Sequence, residues 1–377
     1  MKSFKGVKAY IDGKGIVNAD ITFDERIIST DRADGEEIIL PDGAIVVPGF
    51  IDLHIHGTGG SDAMDGTVQA LQTISETLIK EGTVGYLATT MTQSEENIEK
   101  ALTAVKEYDG ESGARILGVH LEGPFISPDY AGAQPREHIV KPSAEQFKKY
   151  NGESGNKIKK VTLAPEEEGA EELIKYLREN GITASLGHSG ARAEEVKRAV
   201  VCGADSVTHT FNAQSPFKHR DIGVAGSALL NDELCCEIIA DGVHVSFDAI
   251  KLLVKNKSED KITLITDSIR AKGLGEGESE LGGQRVYVKD GQARLADGTL
   301  AGSVLKMNVA VKNMVESVGV PFIRAIDYAA KNPAKQLGIF ADTGSIFKGK
   351  RADFAVLDEN FDVIMTIISG KTVYRRK

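Results

Sequence analysis

Four of the eight histidines in this 377-residue chain occur where short apolar runs end. His54 and His56 close one run, His188 closes a second and His209 a third. Because side chains alternate along a strand, His54 and His56 would project to one face, with Ile55 on the other. Two imidazoles on one face can bind one metal ion, so the spacing indicates a metal site. A structural or accidental explanation fits the pair His54 and His56 equally well on its own, and for His188 or His209 alone a hydrogen-bonded core residue is the more ordinary explanation.

Two carboxylates end further apolar runs and add a second type of ligand. Glu122 lies in the segment His120–Phe125, where Gly and Pro follow it at once, and Asp267 follows Leu264–Thr266. A buried carboxylate is costly unless it is paired or binds a metal ion, although either residue could instead be a helix cap or a surface group. Imidazole and carboxylate together suit Zn²⁺ or Fe²⁺ with a position left open for water. Asp267 could take a proton from that water and return it to a leaving amine.

Short apolar runs position these residues, and they alternate with amphipathic segments. This alternation is typical of repeated βα units around a parallel sheet. Eight units predict a (β/α)₈ barrel of the TIM type, in which catalytic groups lie at the C-terminal ends of the strands. The eight runs are Phe50–His56, Thr83–Thr90, Arg115–Glu122, Ile158–Pro165, Ile182–His188, Ala204–His209, Leu234–Asp241 and Ile262–Asp267.

Helices are predicted between the runs. One is indicated by apolar residues at helical spacing, with Gly181 as its C-terminal stop. Its apolar residues are Ala170, Leu173, Ile174 and Leu177. A later helix is predicted to carry Val304, Met307, Val311, Met314 and Val318. The stretch 273–298, rich in Gly and Glu, predicts an inserted hairpin ahead of that helix.

The two ends of the chain share a different pattern. Short apolar stretches alternate there with Gly and Asp turns, as at 6–13 and 38–43 and again at 352–358 and 363–370. We predict that residues 1–48 and 344–377 together form one small β-sandwich domain. Residues 49–343 would then form the barrel that carries the metal-dependent catalytic site.

Composition excludes several classes of protein. With 41% hydrophobic and 27% charged residues, the chain is predicted to be globular and soluble. Its net charge of −10 argues against a nucleic-acid-binding surface, although one basic pocket could still bind a small anion. The chain shows neither a secretory signal nor a membrane-spanning apolar run of about 18 residues. Three cysteines are too few for a disulfide framework, so we predict a cytoplasmic protein.

The order of these candidate residues along the chain resembles the amidohydrolase superfamily. Shorter motifs narrow the resemblance to its N-acetylglucosamine-6-phosphate deacetylase family, over essentially the whole chain. The motifs are His120–Phe125, Thr208–Ala213, Asp241–His244 and Leu300–Ser303. The resemblance implies hydrolysis of the acetamido group of a sugar phosphate to give glucosamine 6-phosphate and acetate. It also implies a divalent metal, Zn or Fe, that activates water and polarises the acetyl oxygen.

The resemblance further implies a role for each matching position. The implied metal ligands are Glu122, His188 and His209, with His54 and His56 beside them. Asp267 matches the catalytic acid and base. The implied substrate contacts are Ala133, Asn212, Ala213, Arg220, His244, Leu300, Ala301 and Gly302. Arg220 matches an arginine that binds the phosphate and that in relatives can serve the neighbouring subunit's site, so a homodimer is implied.

Two features limit what the resemblance carries over. Gln134 stands where many relatives have a histidine near the substrate, so no acid or base role is assigned to it. The number of metal ions also varies, because some members lack the strand-one histidines. Both His54 and His56 are present here. Their presence favours two ions bridged by Glu122 over one ion with the two histidines hydrogen-bonded nearby.

Two other functions fit part of the pattern. Another amidohydrolase, acting on a cyclic amide, a nucleobase or an N-acyl amino acid, would keep the metal ligands without needing a phosphate-binding arginine. Arg220 would then be an ordinary exposed charge. A catalytically silent barrel would be expected to lose metal ligands or Asp267, and this sequence keeps them.

Overall fold

A computed structural model describes residues 1–110 and 112–376. Its strands in chain order are β1 Lys2–Ile11, β2 Gly15–Phe23, β3 Ile27–Ser29, β4 Glu36–Glu37, β5 Ile45–Pro48, β6 Phe50–Ile55, β7 Gly57–Thr58, β8 Ser61–Asp62, β9 Thr83–Thr89, β10 Arg115–Glu122, β11 Ile158–Leu163, β12 Thr183–Leu186, β13 Ser206–Val207, β14 Cys235–Ile239, β15 Ile262–Ile265, β16 Gly277–Leu281, β17 Gln284–Lys289, β18 Gln292–Leu295, β19 Phe354–Leu357, β20 Val363–Ile368 and β21 Lys371–Arg375.

Helices follow most of the barrel strands. The α-helices are α1 Val68–Leu78, α2 Glu95–Glu107, α3 Ala144–Glu153, α4 Ala170–Glu179, α5 Ala193–Cys202, α6 Gly223–Leu230, α7 Phe247–Asn256, α8 Met307–Asn313, α9 Phe322–Ala329 and α10 Lys331–Gln336. Single 3₁₀ turns occur at Ala63–Asp65, Ile79–Glu81, Pro128–Tyr130, Arg136–His138 and Glu259–Lys261. Within the described residues, no helix is long and apolar enough to span a membrane.

The predicted barrel is confirmed. Its eight strands are parallel neighbours in the order β6, β9, β10, β11, β12, β13, β14 and β15. Short contacts beyond the strand ends join the last strand back to the first. The N–H of Asp267 donates to the carbonyl of His54 at 2.8 Å, and the N–H of His56 donates to the carbonyl of Ser268 at 2.9 Å. These bonds fall on residues of the candidate site, so closure of the barrel also positions the site.

Burial explains why the barrel strands read as apolar runs. Strands β6, β9, β12 and β15 are buried at every position, as expected where helices cover a parallel sheet. Helix α4 forms where its periodicity predicts it. Leu173, Ile174 and Leu177 point into the core, and the chain leaves the helix just before Gly181. The hydrophobic effect on this apolar stripe fixes the helix against the sheet.

Seven of the eight barrel strands are shorter than the apolar runs that predicted them, and β10 alone keeps its predicted bounds. The run 204–209 contains only Ser206–Val207 as strand, while His188 and His209 lie beyond the ends of β12 and β13. Their φ angles are +48° and +30°, and Asp267 after β15 has φ +48°. A positive φ costs a residue other than glycine about 1–3 kcal/mol, and such residues cluster at functional sites. The chain therefore turns out of the sheet at the residues whose side chains face the barrel mouth.

Two other predictions need correction. The insertion is a three-stranded antiparallel sheet, β16–β17–β18, rather than a hairpin, because 292–295 pairs with β17 as well. The later helix begins only at Met307 and ends in a π-helical turn, Met314–Val318. Val304 precedes that helix because the chain just before it, at Ser303, pairs with Ser268 beside the barrel mouth. Tertiary pairing overrode the local helical pattern there.

Both chain ends join one further sheet, in the order β21, β20, β19, β5, β1, β2, β3, with β4 beside β1. This separate sheet is consistent with the predicted small β-sandwich. One face packs around Phe4, Phe23 and Phe354, whose ring centroids lie 5.1–5.9 Å apart. The division of the chain at 1–48, 49–343 and 344–377 stays a prediction.

A polar cluster ties this sheet to the barrel at a seam. Arg115 of β10 donates to both carboxylate oxygens of Asp353, at 3.0 and 2.5 Å. The hydroxyl of Thr343 and the N–H of Ser369 donate to the same carboxylate at 2.8 and 2.9 Å. Asp353 is therefore buried but fully paired, as buried charges generally are.

Candidate metal centre

The barrel mouth gathers six side chains from five strand ends. All six are at most 8% exposed. They are His54 from β6 and His56 just after it, Glu122 from β10, His188 after β12, His209 after β13 and Asp267 after β15. Gly123 lets the chain turn directly after Glu122: its φ is +71°, and a Cβ there would lie 2.1 Å from the hydroxyl of Thr92.

The carboxylate of Glu122 lies between four imidazoles. Its Oε1 is 3.1 Å from Nε2 of His209, 3.3 Å from that of His188 and 3.4 Å from that of His54. Its Oε2 is 3.2 Å from Nε2 of His56. One carboxylate therefore contacts both halves of the cluster, which is the position of a bridging ligand.

Asp267 completes one half of the cluster. Its Oδ1 is 3.3 Å from Nε2 of both His54 and His56. The ligand atoms fall into two groups, each within 4.8 Å: one of His54, His56 and Asp267, the other of Glu122, His188 and His209. Two separate groups of three ligands match the donor sets that two ions would use.

The chemistry of the donors fits a divalent cation. Nε2 atoms of His188 and His209 face each other at 3.1 Å, and those of His54 and His56 at 3.4 Å. The Nδ1 atoms of His56 and His188 lie 3.3 and 2.9 Å from the backbone carbonyls of Thr89 and Tyr130. A carbonyl can only accept, so in the neutral rings Nδ1 carries the proton and Nε2 carries the lone pair. Converging lone pairs and carboxylates require a cation among them.

The protonation behaviour of the cluster agrees with that requirement. Burial alone would lower the pKa of His56, but Asp267 and Glu122 raise it to about 10. Burial alone would raise the pKa of Asp267, but His54 and His56 lower it to about 2. His209 differs, because burial keeps its pKa below the usual value and its ring neutral. The carboxylates therefore favour the protonated rings of His54 and His56 when no metal ion is bound.

A second layer of polar residues, which no sequence motif predicted, lies beneath the cluster. Glu237 of β14 and Lys160 of β11 form an ion pair that is at most 1% exposed. Asp52 of β6 accepts from the hydroxyl of Thr266 at 2.5 Å. The only sequence signal was a charge inside an apolar strand, and such a charge does not reveal its partner.

Gln134 also supports the cluster, although no role was assigned to it. Its side-chain amide donates to Oε2 of Glu122 at 2.8 Å, and its carbonyl oxygen accepts from the N–H of Thr92 at 2.7 Å. This bond to backbone fixes which way the amide faces. Gln134 is therefore a positioning residue for Glu122.

A cavity of about 330 Å³ opens over the cluster. Five cluster residues line it, namely His56, Glu122, His188, His209 and Asp267, while His54 lies below. Most of the predicted substrate contacts line it as well: Ala133, Asn212, Ala213, His244, Leu300 and Gly302. Nδ1 of His244 is 2.7 Å from Oδ2 of Asp241, which orients the ring.

Two predicted substrate contacts do not line this cavity. Ala301 is fully buried behind the wall. Arg220 is exposed and lies in a separate surface depression together with Arg192, Arg198 and His219. Within one chain, Arg220 therefore does not reach the pocket over the cluster.

Comparisons with known proteins agree with this fold. Residues 45–373 match the model of the amidohydrolase family. An N-acetylglucosamine-6-phosphate deacetylase of Bacillus subtilis is 45% identical over 93% of this chain and 90% of its own length. The crystal structure of the Thermotoga maritima enzyme of that name is 37% identical, with a TM-score of 0.89 and 99% coverage of both chains. A variant of the N-acetyl-D-glucosamine-6-phosphate deacetylase of Mycobacterium smegmatis, solved in complex with N-acetyl-D-glucosamine-6-phosphate, is 27% identical, with a TM-score of 0.89. The match covers 99% of this chain and 98% of that chain.

Proposed function

This chain belongs to the amidohydrolase family, and we propose that it hydrolyses the acetamido group of N-acetylglucosamine 6-phosphate, giving glucosamine 6-phosphate and acetate. One observation carries the proposal. Five of the six cluster residues, Asp267 among them, face a single cavity whose wall also contains most of the positions expected to contact the sugar. Metal, acid–base group and substrate are thereby brought within reach of one another.

Asp267 acts as the proton carrier of the reaction. Its carboxylate is ionised at neutral pH, because the neighbouring imidazoles outweigh the effect of burial on its pKa. An ionised carboxylate can take a proton from the attacking water and then give it to the leaving nitrogen as the C–N bond breaks. When bound, the metal supplies Lewis acidity that activates the water and polarises the acetyl oxygen. Acetate and a primary amine result.

The cavity wall orients the sugar. His244, held by Asp241, presents its Nε2 side to the cavity, and Asn212 offers an amide that can both donate and accept. Leu300, Gly302 and Ala133 also line the cavity, and Ala301 is buried behind the wall. We assign substrate contact to these positions, with Ala301 supporting the wall rather than touching the sugar.

The metal is Zn or Fe, and we propose two ions per chain. Mixed imidazole and carboxylate ligands suit both metals. The two separate ligand groups support two ions, and the position of Glu122 between all four imidazoles supports a bridging role. His54, His56 and Asp267 would hold one ion, and His188 and His209 the other.

We further propose that the protein works in the cytoplasm as a homodimer. Arg220 lies on an exposed loop beside Phe217, whose side chain is 63% exposed. Phe and Arg are among the residues that are enriched at protein–protein interfaces relative to the rest of the surface. In the dimer, Arg220 would reach the phosphate bound in the partner's site, which explains its distance from the pocket of its own chain.

Acetate release tests the function directly. The metal-loaded protein is expected to deacetylate N-acetylglucosamine 6-phosphate strongly and unphosphorylated N-acetylglucosamine weakly. Metal content, measured on the same sample, is expected near two ions per chain. Removal of the ions by a chelator should abolish turnover, and Zn²⁺ or Fe²⁺ should restore it. No release from either sugar by the metal-loaded protein would reject this substrate and leave a hydrolase of another amide.

A further inference from the structure

Two buried polar atoms beneath the metal cluster face each other. Nδ1 of His54 and Oε2 of Glu237 lie 3.6 Å apart, and both side chains are fully buried. Among the described residues, neither atom has a partner within hydrogen-bonding distance. A shift of less than about 1 Å brings a ring N–H and a carboxylate oxygen of this kind into hydrogen-bond range.

Lys160 determines which oxygen of Glu237 is left over. Its ammonium, also buried, contacts Oε1 of Glu237. The two residues stand on β11 and β14, and they meet in the barrel interior below His54 of β6. The ion pair therefore fixes the carboxylate so that its second oxygen is presented to the imidazole.

Stability alone does not account for this arrangement. A buried ion pair generally contributes little, because removing two charges from water offsets their attraction, and apolar residues of similar size often stabilise as well. The neighbouring rings suggest a different purpose. His56 and His188 each have a backbone carbonyl at Nδ1, and at His54 the carboxylate of Glu237 takes the corresponding position.

We propose that Glu237, held in place by Lys160, accepts the Nδ1–H of His54 and thereby fixes the tautomer whose Nε2 lone pair faces the metal. Glu237 is thus a positioning residue that acts through His54. Loss of such a partner typically weakens metal binding about 10- to 100-fold. The inference rests on the proposed metal site and not on the identity of the substrate.

The Lys160 ammonium can only donate hydrogen bonds, so it selects which side-chain atom of residue 237 faces it, and this makes the proposal testable. In Glu237→Gln, the Lys160 ammonium can pair only with the amide oxygen, so the NH₂ group turns toward His54. His54 Nδ1 must then accept, its proton moves to Nε2, and the ring can no longer bind the ion. In the double variant Lys160→Met with Glu237→Gln, no ammonium holds the oxygen, and the amide can rotate to accept from His54 again.

Three variants are compared by titration with Zn²⁺ alone against a chromophoric chelator, with thermal melting as the control for folding. Glu237→Gln is expected to weaken the ion bound through His54 by about 10- to 100-fold. Lys160→Met/Glu237→Gln is expected to recover most of that loss. Lys160→Met/Glu237→Leu, which matches it in charge but lacks an acceptor, should remain weak. Equal affinity of the two double variants would overturn the proposal.

A measurement on the unaltered protein tests the proposal even if the variants fail to fold. In the Zn²⁺-loaded protein with ¹⁵N-labelled histidine, the Nδ1 of His54 is expected to carry a slowly exchanging proton. An unprotonated Nδ1 would contradict the proposal, as would a protein that binds no Zn²⁺. A protein that binds Zn²⁺ with this protonation but does not deacetylate the sugar would reject the proposed substrate only.

Discussion

Buried carboxylates occur both at the barrel mouth and at the seam between the barrel and the terminal sheet, but their partners differ. At the seam, Asp353 accepts hydrogen bonds from Arg115, Thr343 and the backbone N–H of Ser369. At the mouth, Glu122 and Asp267 face imidazole nitrogens whose lone pairs point toward the same space. The seam is complete within the protein, whereas the mouth requires a cation from outside.

The comparison separates groups that stabilise the fold from groups kept for chemistry. The pKa of Asp353 is lowered, despite its burial, by a permanent guanidinium charge. The pKa of Asp267 is lowered, despite its burial, by rings that are charged only when they hold protons. Protons can be exchanged for a metal ion, but a guanidinium cannot. The reactive groups therefore lie at the mouth. Removing a carboxylate there should lower activity more than stability, whereas removing one at the seam should lower stability and leave activity unchanged.

The largest effect is expected for Asp267→Asn. The amide keeps the shape and one oxygen but cannot carry the proton, so turnover should fall about 10²- to 10⁴-fold. Melting temperature should stay close to that of the unaltered protein, as should binding of the ion at Glu122, His188 and His209, because Asp267 is not in that ligand group. Steady-state kinetics measures the turnover, metal analysis measures the ion content and thermal unfolding measures the melting temperature. Near-normal turnover would exclude Asp267 as the proton carrier.

An intermediate effect is expected for Arg220→Ala on the exposed loop outside the pocket. Loss of one Arg–phosphate contact, a charge-assisted hydrogen bond of about 1.5–3 kcal/mol, should raise KM by about tenfold or more with little change in kcat. Lys218→Ala, in the same exposed loop, is the matched control.

Mixed dimers test whether Arg220 serves the partner's site. Chains carrying Arg220→Ala are combined with chains carrying Asp267→Asn. If the arginine acts in trans, half of the sites in such a dimer lack both groups and the other half have both, so activity at low substrate should recover. An unchanged KM in Arg220→Ala, or mixed dimers without recovery, would argue against the contact.

The smallest effect on activity is expected at the seam. Asp353→Asn removes the charge that pairs with Arg115, so the free energy of unfolding should fall by about 1–2 kcal/mol while kcat and KM stay unchanged. The lowered pKa of Asp353 means that its contribution is fully present above the unfolded value of about 3.9 and is lost as pH falls further. Denaturant unfolding at neutral pH and below pH 4 should therefore show that the difference in free energy of unfolding between the unaltered protein and Asp353→Asn becomes smaller in acid. A difference that does not change with pH would contradict the link between the lowered pKa of Asp353 and stability.

Much of the fold was predictable because its signals are local. Apolar runs alternating with amphipathic segments indicated the barrel, and α4 formed where Leu173, Ile174 and Leu177 predicted it. The predictions were wrong where distant pairing decides the structure. Ser303 pairs with Ser268 and delays the later helix, and 292–295 joins β17 to make a three-stranded insertion.

The candidate site shows the same division. Residues at strand ends were recognisable from type and position, since a histidine or carboxylate that closes an apolar run is unusual. Gln134 and Glu237 were not recognised, because their importance lies in contacts with Glu122 and His54. For Arg220, the resemblance implied a role in the neighbouring subunit's site, but no local pattern indicated that it lies outside the pocket of its own chain.

By itself, the sequence determined the barrel periodicity, the residue types available for a metal ion and the charge that could carry a proton, because each depends on neighbours along the chain. Only the tertiary structure decided that Glu122 lies between four imidazoles, that β15 meets β6 at Asp267 and that Glu237 faces His54. These contacts join residues from strands far apart in sequence. Their geometry is set by barrel closure and by the turns at His188, His209 and Asp267, which no local pattern encodes.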